Sequence, residues 1–244
     1  MAFELNEPDI ARRLLYHGAD IDYTSARGWN AIHHIWETKI GGRNSQEFYQ
    51  ICSSAGFSSY DAQDEMGWTC LHRAAAFGTP KDIESILRLG ASPTLYTHPH
   101  GWSPIHVAAV MNNVDTLKAL STGLSPQTLH APDAHGWTPL HLAVDREAES
   151  TMRFLLLNYA DPHAYTYLTA KRFPVGREHE IFCPGDLARE NGSLFLQQYA
   201  DALQESGWKV TTGPDGDDVY WDVDQSFDQS GYEKSPPYEE KGTS

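Results

Sequence analysis

Twelve histidines in 244 residues are the first side chains in this sequence with the means to do chemistry, as metal ligands, general bases or pH-responsive groups. Their spacing argues against most of it. Four of them recur at one position of a repeated segment: Gly28-Trp-Asn-Ala-Ile-His33, Gly67-Trp-Thr-Cys-Leu-His72, Gly101-Trp-Ser-Pro-Ile-His106 and Gly136-Trp-Thr-Pro-Leu-His141. The glycines are 39, 34 and 35 residues apart, so successive histidines sit one structural unit apart, too far to share an ion. His98, His100 and His135 differ, because they fall near the tips of two successive connecting segments. A zinc or pH-sensitive site, or an enzyme built on it, is the alternative reading there, although no fourth ligand accompanies them.

Other constellations fail on inspection. Cys52, Cys70 and Cys183 are far apart, odd in number and without a Cys-x-x-Cys pair. They read as buried thiols in a reducing compartment. The sequence has no Gly-x-Ser-x-Gly elbow, phosphate-binding glycine loop or His-Glu-x-x-His helix. Asp222-Val-Asp224-Gln-Ser226 begins like a calcium loop, but Phe227 stands where the sharp turn needs glycine. Asp217 and Asp218 lie in an acidic segment, with no apolar pocket to raise a carboxyl pKa. No catalytic residue, cofactor or metal site is expected, and the chain is not expected to be an enzyme.

The elements that carry the repeat are legible. Asn30, Thr69, Ser103 and Thr138 are N-cap residues, and Pro104 and Pro139 suit the first helical position. They predict first helices over Asn30–Thr38, Thr69–Phe77, Ser103–Met111 and Thr138–Asp145. Small residues follow in three of them, Ala74-Ala75, Ala108-Ala109 and Ala143-Val144, which lets neighbouring helices approach closely. A second helix in each unit is carried by Phe48/Ile51/Cys52, Ile83/Ile86/Leu87, Val114/Leu117/Leu120 and Met152/Leu155/Leu156 at helical spacing. Gly56, Gly90, Gly123 and Asn158 mark its ends.

Gly-Trp-Thr-Pro-Leu-His-Leu-Ala with a downstream Leu-Leu-x-x-Gly-Ala-Asp resembles the ankyrin repeat, over about residues 9–208. The resemblance implies an all-α solenoid of stacked helix-turn-helix units. Its divisions read as a partial unit at 1–26, full units at about 27–62, 63–96, 97–131 and 132–162, an insertion at 163–181 and a degenerate unit at 182–207. In that last unit Asp186 stands where histidine stood. The first unit departs from the pattern, with His34, Ile35 and Trp36 where the others carry alanine and a long loop from Lys39 to Asn44. The insertion holds Lys171, Arg172 and Arg177 with Tyr165, Tyr167 and Phe173, the most basic stretch of the chain.

By the same resemblance, His33, His72, His106 and His141 hydrogen-bond neighbouring loop backbone, and with Gly28, Gly67, Gly101 and Gly136 they are structural. Loop tips and the exposed end of each first helix contact a partner. Carried over, these are Ala26, Arg27 and Trp29; Glu65, Met66, Trp68 and Phe77; Pro99, His100, Trp102 and Met111; Ala134, His135, Trp137 and Arg146. Phe77 and Met111 stand at matching places, apolar where solvent is expected, and mark the centre of a recognition patch.

Charge narrows the partner. A net charge of −15 repels phosphate backbones and anionic lipid, so neither nucleic acid nor membrane is expected. The partner is another protein, the chain acting as a monomeric adaptor in the cytoplasm or nucleus, with no signal peptide or membrane-spanning run in sight. Residues 208–224 read as a β-hairpin that caps the stack with Trp208, Tyr220 or Trp221. From Pro214 on, nine acidic residues face two lysines, and residues 225–244 form an acidic tail. An autoinhibitory or nucleic-acid-mimicking tail is the third reading.

Overall fold

A computed structural model describes residues 2–3, 6–36, 44–122, 124–166, 181–212 and 219–223. The chain runs through α1 (Pro8–Tyr16), a 3-10 helix η1 (Ala31–Trp36), α2 (Ser45–Ser54), α3 (Cys70–Phe77), α4 (Pro80–Arg88) and α5 (Pro104–Val110). There follow α6 (Val114–Ser121), the single turn α7 (Pro126–Leu129), α8 (Pro139–Asp145), α9 (Glu149–Leu157), α10 (Pro184–Glu190) and α11 (Ser193–Glu205). An antiparallel hairpin comes next, β1 (Trp208–Thr212) with β2 (Val219–Val223), Trp208 facing Val223 in register. The elements form two rows. In the first row η1, α3, α5, α8 and α10 pack in series; in the second, α1, α2, α4, α6, α9 and α11 do so behind them. This is an all-α solenoid of helix pairs.

Local chemistry starts each first-row helix. In α3, α5 and α8 the N-cap side chain bonds the third residue, and that residue, His72, His106 or His141, reaches back to the cap. Histidine thus does what glutamate does in the usual capping box. In α10 the Cys183 N–H donates to Asp186 Oδ2 at 2.9 Å, so aspartate fills the same role. Small buried residues then let the row close up, since Ala74, Ala75, Ala108, Ala109 and Ala143 are fully buried. The second row supplies the larger side chains, with Ile83, Ile86, Leu117, Leu120, Met152 and Leu155 equally buried. Truncating one of these to alanine removes about 2–5 kcal/mol.

The first unit departs from expectation. A continuous α-helix over Asn30–Thr38 was expected; the structure has a 3-10 helix over Ala31–Trp36, with 37–43 outside the described residues. The reason is the missing alanines. Three residues per turn stacks Ile32 over Ile35 and His33 over Trp36, and all four are buried. The fourth unit shows a smaller shift, because the left-handed residue after α9 is Tyr159 (φ 67) while Asn158 keeps a negative φ. Gly56 and Gly90 take that conformation after α2 and α4. Gly123 lies outside the described residues. Helix α7, with Ser125 as N-cap and Pro126 at its first position, was not anticipated.

At the far end, β1 and β2 pack on α11. Trp208 and Val210 lie against the core. The side chains of Tyr220 and Trp221 lie outside what is described, as do residues 224–244 and most of the insertion. No helix among the described residues is long and apolar enough to cross a membrane.

Candidate protein-binding site

Each connection between units folds back on itself as a finger. Its closing bonds run from Ser25 N–H to the Trp29 carbonyl at 2.8 Å, Asp64 to Trp68 at 3.0 Å, Thr97 to Trp102 at 2.9 Å, and Asp133 to Trp137 at 2.8 Å. Thr166 N–H donates to the Phe182 carbonyl at 3.0 Å in the same way. Thr166 and Phe182 thus close the base of a fifth finger, and Phe182 stands where the others have tryptophan; residues 167–180 lie outside the described residues. The first residue of each finger also turns it. Asp64 Oδ1 accepts from the N–H groups of Met66 and Trp68, and Asp133 Oδ1 from those of His135 and Trp137.

Adjacent fingers are stitched tip to tip. Glu65 N–H donates to the Arg27 carbonyl, His98 N–H to Met66 and Ala134 N–H to His100, at 3.1, 2.7 and 3.0 Å. Such contact needs glycine beside it. Gly28 has φ +76, and a Cβ there would lie 2.7 Å from the Gln63 carbonyl oxygen; Gly67 and Gly101 are hemmed in likewise. Gly136 shares the positive φ.

The repeated histidines sit behind the fingers, all but sealed from solvent. The cap N–H of Thr69, Ser103 or Thr138 donates into the Nδ1 of its own histidine, whereas His33 Nδ1 lies 2.6 Å from Asn30 Oδ1. In those three units the ring hydrogen sits on Nε2, and in all four Nε2 bonds the next unit. His33 bonds the Trp68 carbonyl at 3.0 Å, His72 Trp102 at 2.9 Å, His106 Trp137 at 3.2 Å and His141 Phe182 at 3.2 Å. Burial lowers the pKa of His72 and His141 to about 4, and it lowers His33 too. Both nitrogens of each ring are engaged, so none of the four presents a lone pair to a metal or substrate.

The tryptophans fare differently from one another. The Arg73 guanidinium lies 4.0 Å from the centre of the Trp29 ring and donates to Asp64 Oδ2 at 2.9 Å. Trp68 and Trp102 are half-buried against the core, and Trp102 Nε1 donates to Asp133 Oδ2. Trp137 is only 3% exposed and belongs to the core beside the His141 ring; it offers no contact area, contrary to its place in the expected surface. Sequence reasoning passed over Arg73, Asp64 and Asp133. The signal for the two aspartates was the turn-forming residue that begins every finger.

Exposed apolar area lies at the ends of the first-row helices and on one tip. Phe77, the last residue of α3, is 57% exposed, Met111 just past α5 46%, and Met66 53%. Arg146 occupies the equivalent place after α8, beside Asp145 at 3.3 Å. On the tips the His100 and His135 rings lie 5.8 Å apart, and His98 is exposed. Among the described residues no group of three or more His, Cys, Asp or Glu side chains is placed to hold a metal ion.

Paired helices, backward fingers and a cap histidine bridging to the next unit agree with the ankyrin repeats that residues 80–166 match, and such repeats are protein-interaction modules. The family model for ankyrin repeats matches residues 80–166 in three copies. Similar proteins include calmodulin-binding transcription activator 5 of Arabidopsis thaliana, 31% identical over an alignment of 83 positions that covers 27% of this chain and 9% of that protein. Calmodulin-binding transcription activator CBT of Oryza sativa subsp. japonica is 40% identical over 60 residues, 25% of this chain and 6% of the relative. The chain thus spans a small fraction of the relatives it matches.

Proposed function

We propose that this chain is an adaptor inside the cell, in cytoplasm or nucleus, that binds a partner protein as a monomer. Its recognition surface would be the finger tips and exposed helix ends, centred on Phe77 and Met111. The observation that carries this is their placement: two large apolar side chains, at equivalent positions on the adjacent helices α3 and α5, both about half exposed. Side chains of this size on a rigid scaffold are what an interface core uses. Met66, His100, Trp102, His135 and Arg146 would form the surround, Trp29 and Trp68 contributing the half-exposed faces of their rings. Calmodulin binding and transcriptional activation belong to the named relatives, and the short alignments give no reason to extend them to this chain.

The test is affinity purification from the native source with the wild-type chain and with Phe77→Asp plus Met111→Asp. Each substitution is at an exposed site, so thermal stability should change little. The expected result is loss of one or more specific partners with the melting temperature preserved. Retention of every partner would refute the patch.

A further inference from the structure

One face of the fingers is exposed and partly aromatic. The residue just before the closing N–H is Gln63, Tyr96, Pro132 and Tyr165 in the second to fifth fingers. Tyr96 is 45% and Tyr165 60% exposed, and Pro132 is exposed between them. These places are equivalent, so the three side chains form a row, one to a finger. The row stops at Gln63, whose amide is already turned to the Gly67 and Tyr96 carbonyls. Each finger is two hydrogen-bonded passes of chain, and the stitches between fingers are hydrogen bonds too. Two strand spacings set successive members of the row about 9.5 Å apart.

A polyproline helix has the matching period. It turns every third residue to the same face, a repeat of about 9.3 Å. Its backbone is fully solvated, so ring faces suffice to hold it and tyrosine hydroxyls can donate to its carbonyls. This chain contains a stretch whose prolines favour that geometry, Ser235-Pro-Pro-Tyr238, and its four residues carry no charge. The route from there to the row is short. Val223, the last described residue, pairs in register with Trp208. The Trp208 ring stands edge-on to His163, 5.5 Å away and two residues before Tyr165. The chain therefore leaves the hairpin beside the fifth finger. Thirteen residues lead from Val223 to Pro236, a reach of at most about 45 Å, against roughly 20 Å from the fifth finger to the third.

We propose that residues 224–244 fold back along the fingers and dock Pro236, Pro237 and Tyr238 on the row formed by Tyr165, Pro132 and Tyr96. The tail is then a resident ligand of its own scaffold, a strap across the third to fifth fingers. Two observations carry this independently: the row has the period of a polyproline segment, and the described chain ends next to the row's last member. The strap leaves the proposed recognition patch uncovered, because Phe77 ends α3 and Met111 lies just past α5, while the row lies on the fingers. The two sites can therefore fail separately.

The test is photocrosslinking in the full chain. Glu239→p-benzoylphenylalanine places a photoreactive ketone beside Tyr238, and mass spectrometry after irradiation maps where it has reacted. Crosslinks within one molecule to segments 94–98, 130–134 or 163–166 are expected. Tyr96→Ser with Tyr165→Ser should cut their yield about fivefold or more, two ring contacts being removed. The melting temperature should barely change, because both positions are exposed. Pro236→Ala with Pro237→Ala should cut the yield too, whereas Phe77→Asp should leave it as it is. Crosslinks to the ends of α3 and α5, crosslinks spread over the surface, or a yield indifferent to the tyrosine pair would overturn the proposal. So would crosslinks that join two chains, because the tail then straps a second copy.

Discussion

A single imidazole here joins three pieces of chain: its own helix, its own cap and the finger of the following unit. Removing one costs more than a surface hydrogen bond, because the partners it leaves are buried. His72→Ala strands the buried Thr69 N–H and takes one of two donors from the Trp102 carbonyl, which keeps the Thr97 N–H, and we expect a loss on the order of 2 kcal/mol, read from urea unfolding. A loss below about 0.5 kcal/mol, the range of an ordinary surface substitution, would show that water replaces the bridge. The same rings make stability depend on pH. His72 and His141 titrate near 4 when folded, against an ordinary value of 6.5, so the unfolded chain binds more protons between those limits. Their contribution is fully present above about pH 6.5 and drains away as pH falls towards 4. The urea midpoint should fall across that window, and less steeply in His72→Gln; equal slopes would assign the effect to carboxylates. The position of these histidines was legible from their period. Their tautomer followed only once the cap N–H was seen to donate into Nδ1.

Between elements, much of the stitching is polar and was invisible in the sequence. Asp82 of α4 is 1% exposed. It accepts from the Thr79 N–H and hydroxyl at 2.8 and 2.7 Å, and from Ser45, Gln46 and Tyr49 of α2. These bonds fasten the first unit, whose 3-10 helix lacks the alanine packing of the others. Asp82→Ala should destabilise by about 3 kcal/mol or more, since several buried donors are left without an acceptor. Asp82→Asn should cost less, keeping one acceptor oxygen. Thermal unfolding that ranks the two in the opposite order would contradict this account. The Thr79-Pro-Lys-Asp82 spacing fits a local capping box, but nothing in it announces the bonds to α2, because those partners lie more than thirty residues away. Helix boundaries, in contrast, were readable at Thr69, Ser103 and Thr138, where cap and proline chemistry is local. They failed at Ala31–Trp36, where packing against α3 decides the winding.

As a whole the molecule is a line of units, each touching only its neighbours, so stability should decline towards the ends. The three thiols report this. Cys52, Cys70 and Cys183 are buried, and burial pushes Cys52 to about 12 and Cys183 to about 11. Native labelling by a thiol reagent should therefore be slow, with Cys183 in the last unit reacting before Cys70 in the second. Mass spectrometry of partly labelled protein decides the order, and the reverse sequence would mean the interior opens first. The repeat architecture was legible because its period is written into four Gly-Trp segments; the coupling of finger to finger was not, being made by backbone. That coupling has a consequence at the fifth finger. Thr166 and Phe182 clasp its base with two hydrogen bonds, N–H to carbonyl and N–H to hydroxyl, each 3.0 Å long, and the ladder passes through Phe182 regardless of what lies between. The chain is thus built with a grafting point: segments of other length or composition can be spliced between 167 and 180 at a cost of roughly 0.6 kcal/mol per doubling of length. A natural lineage, or an engineer, is free to exchange that passage while the scaffold stays in register.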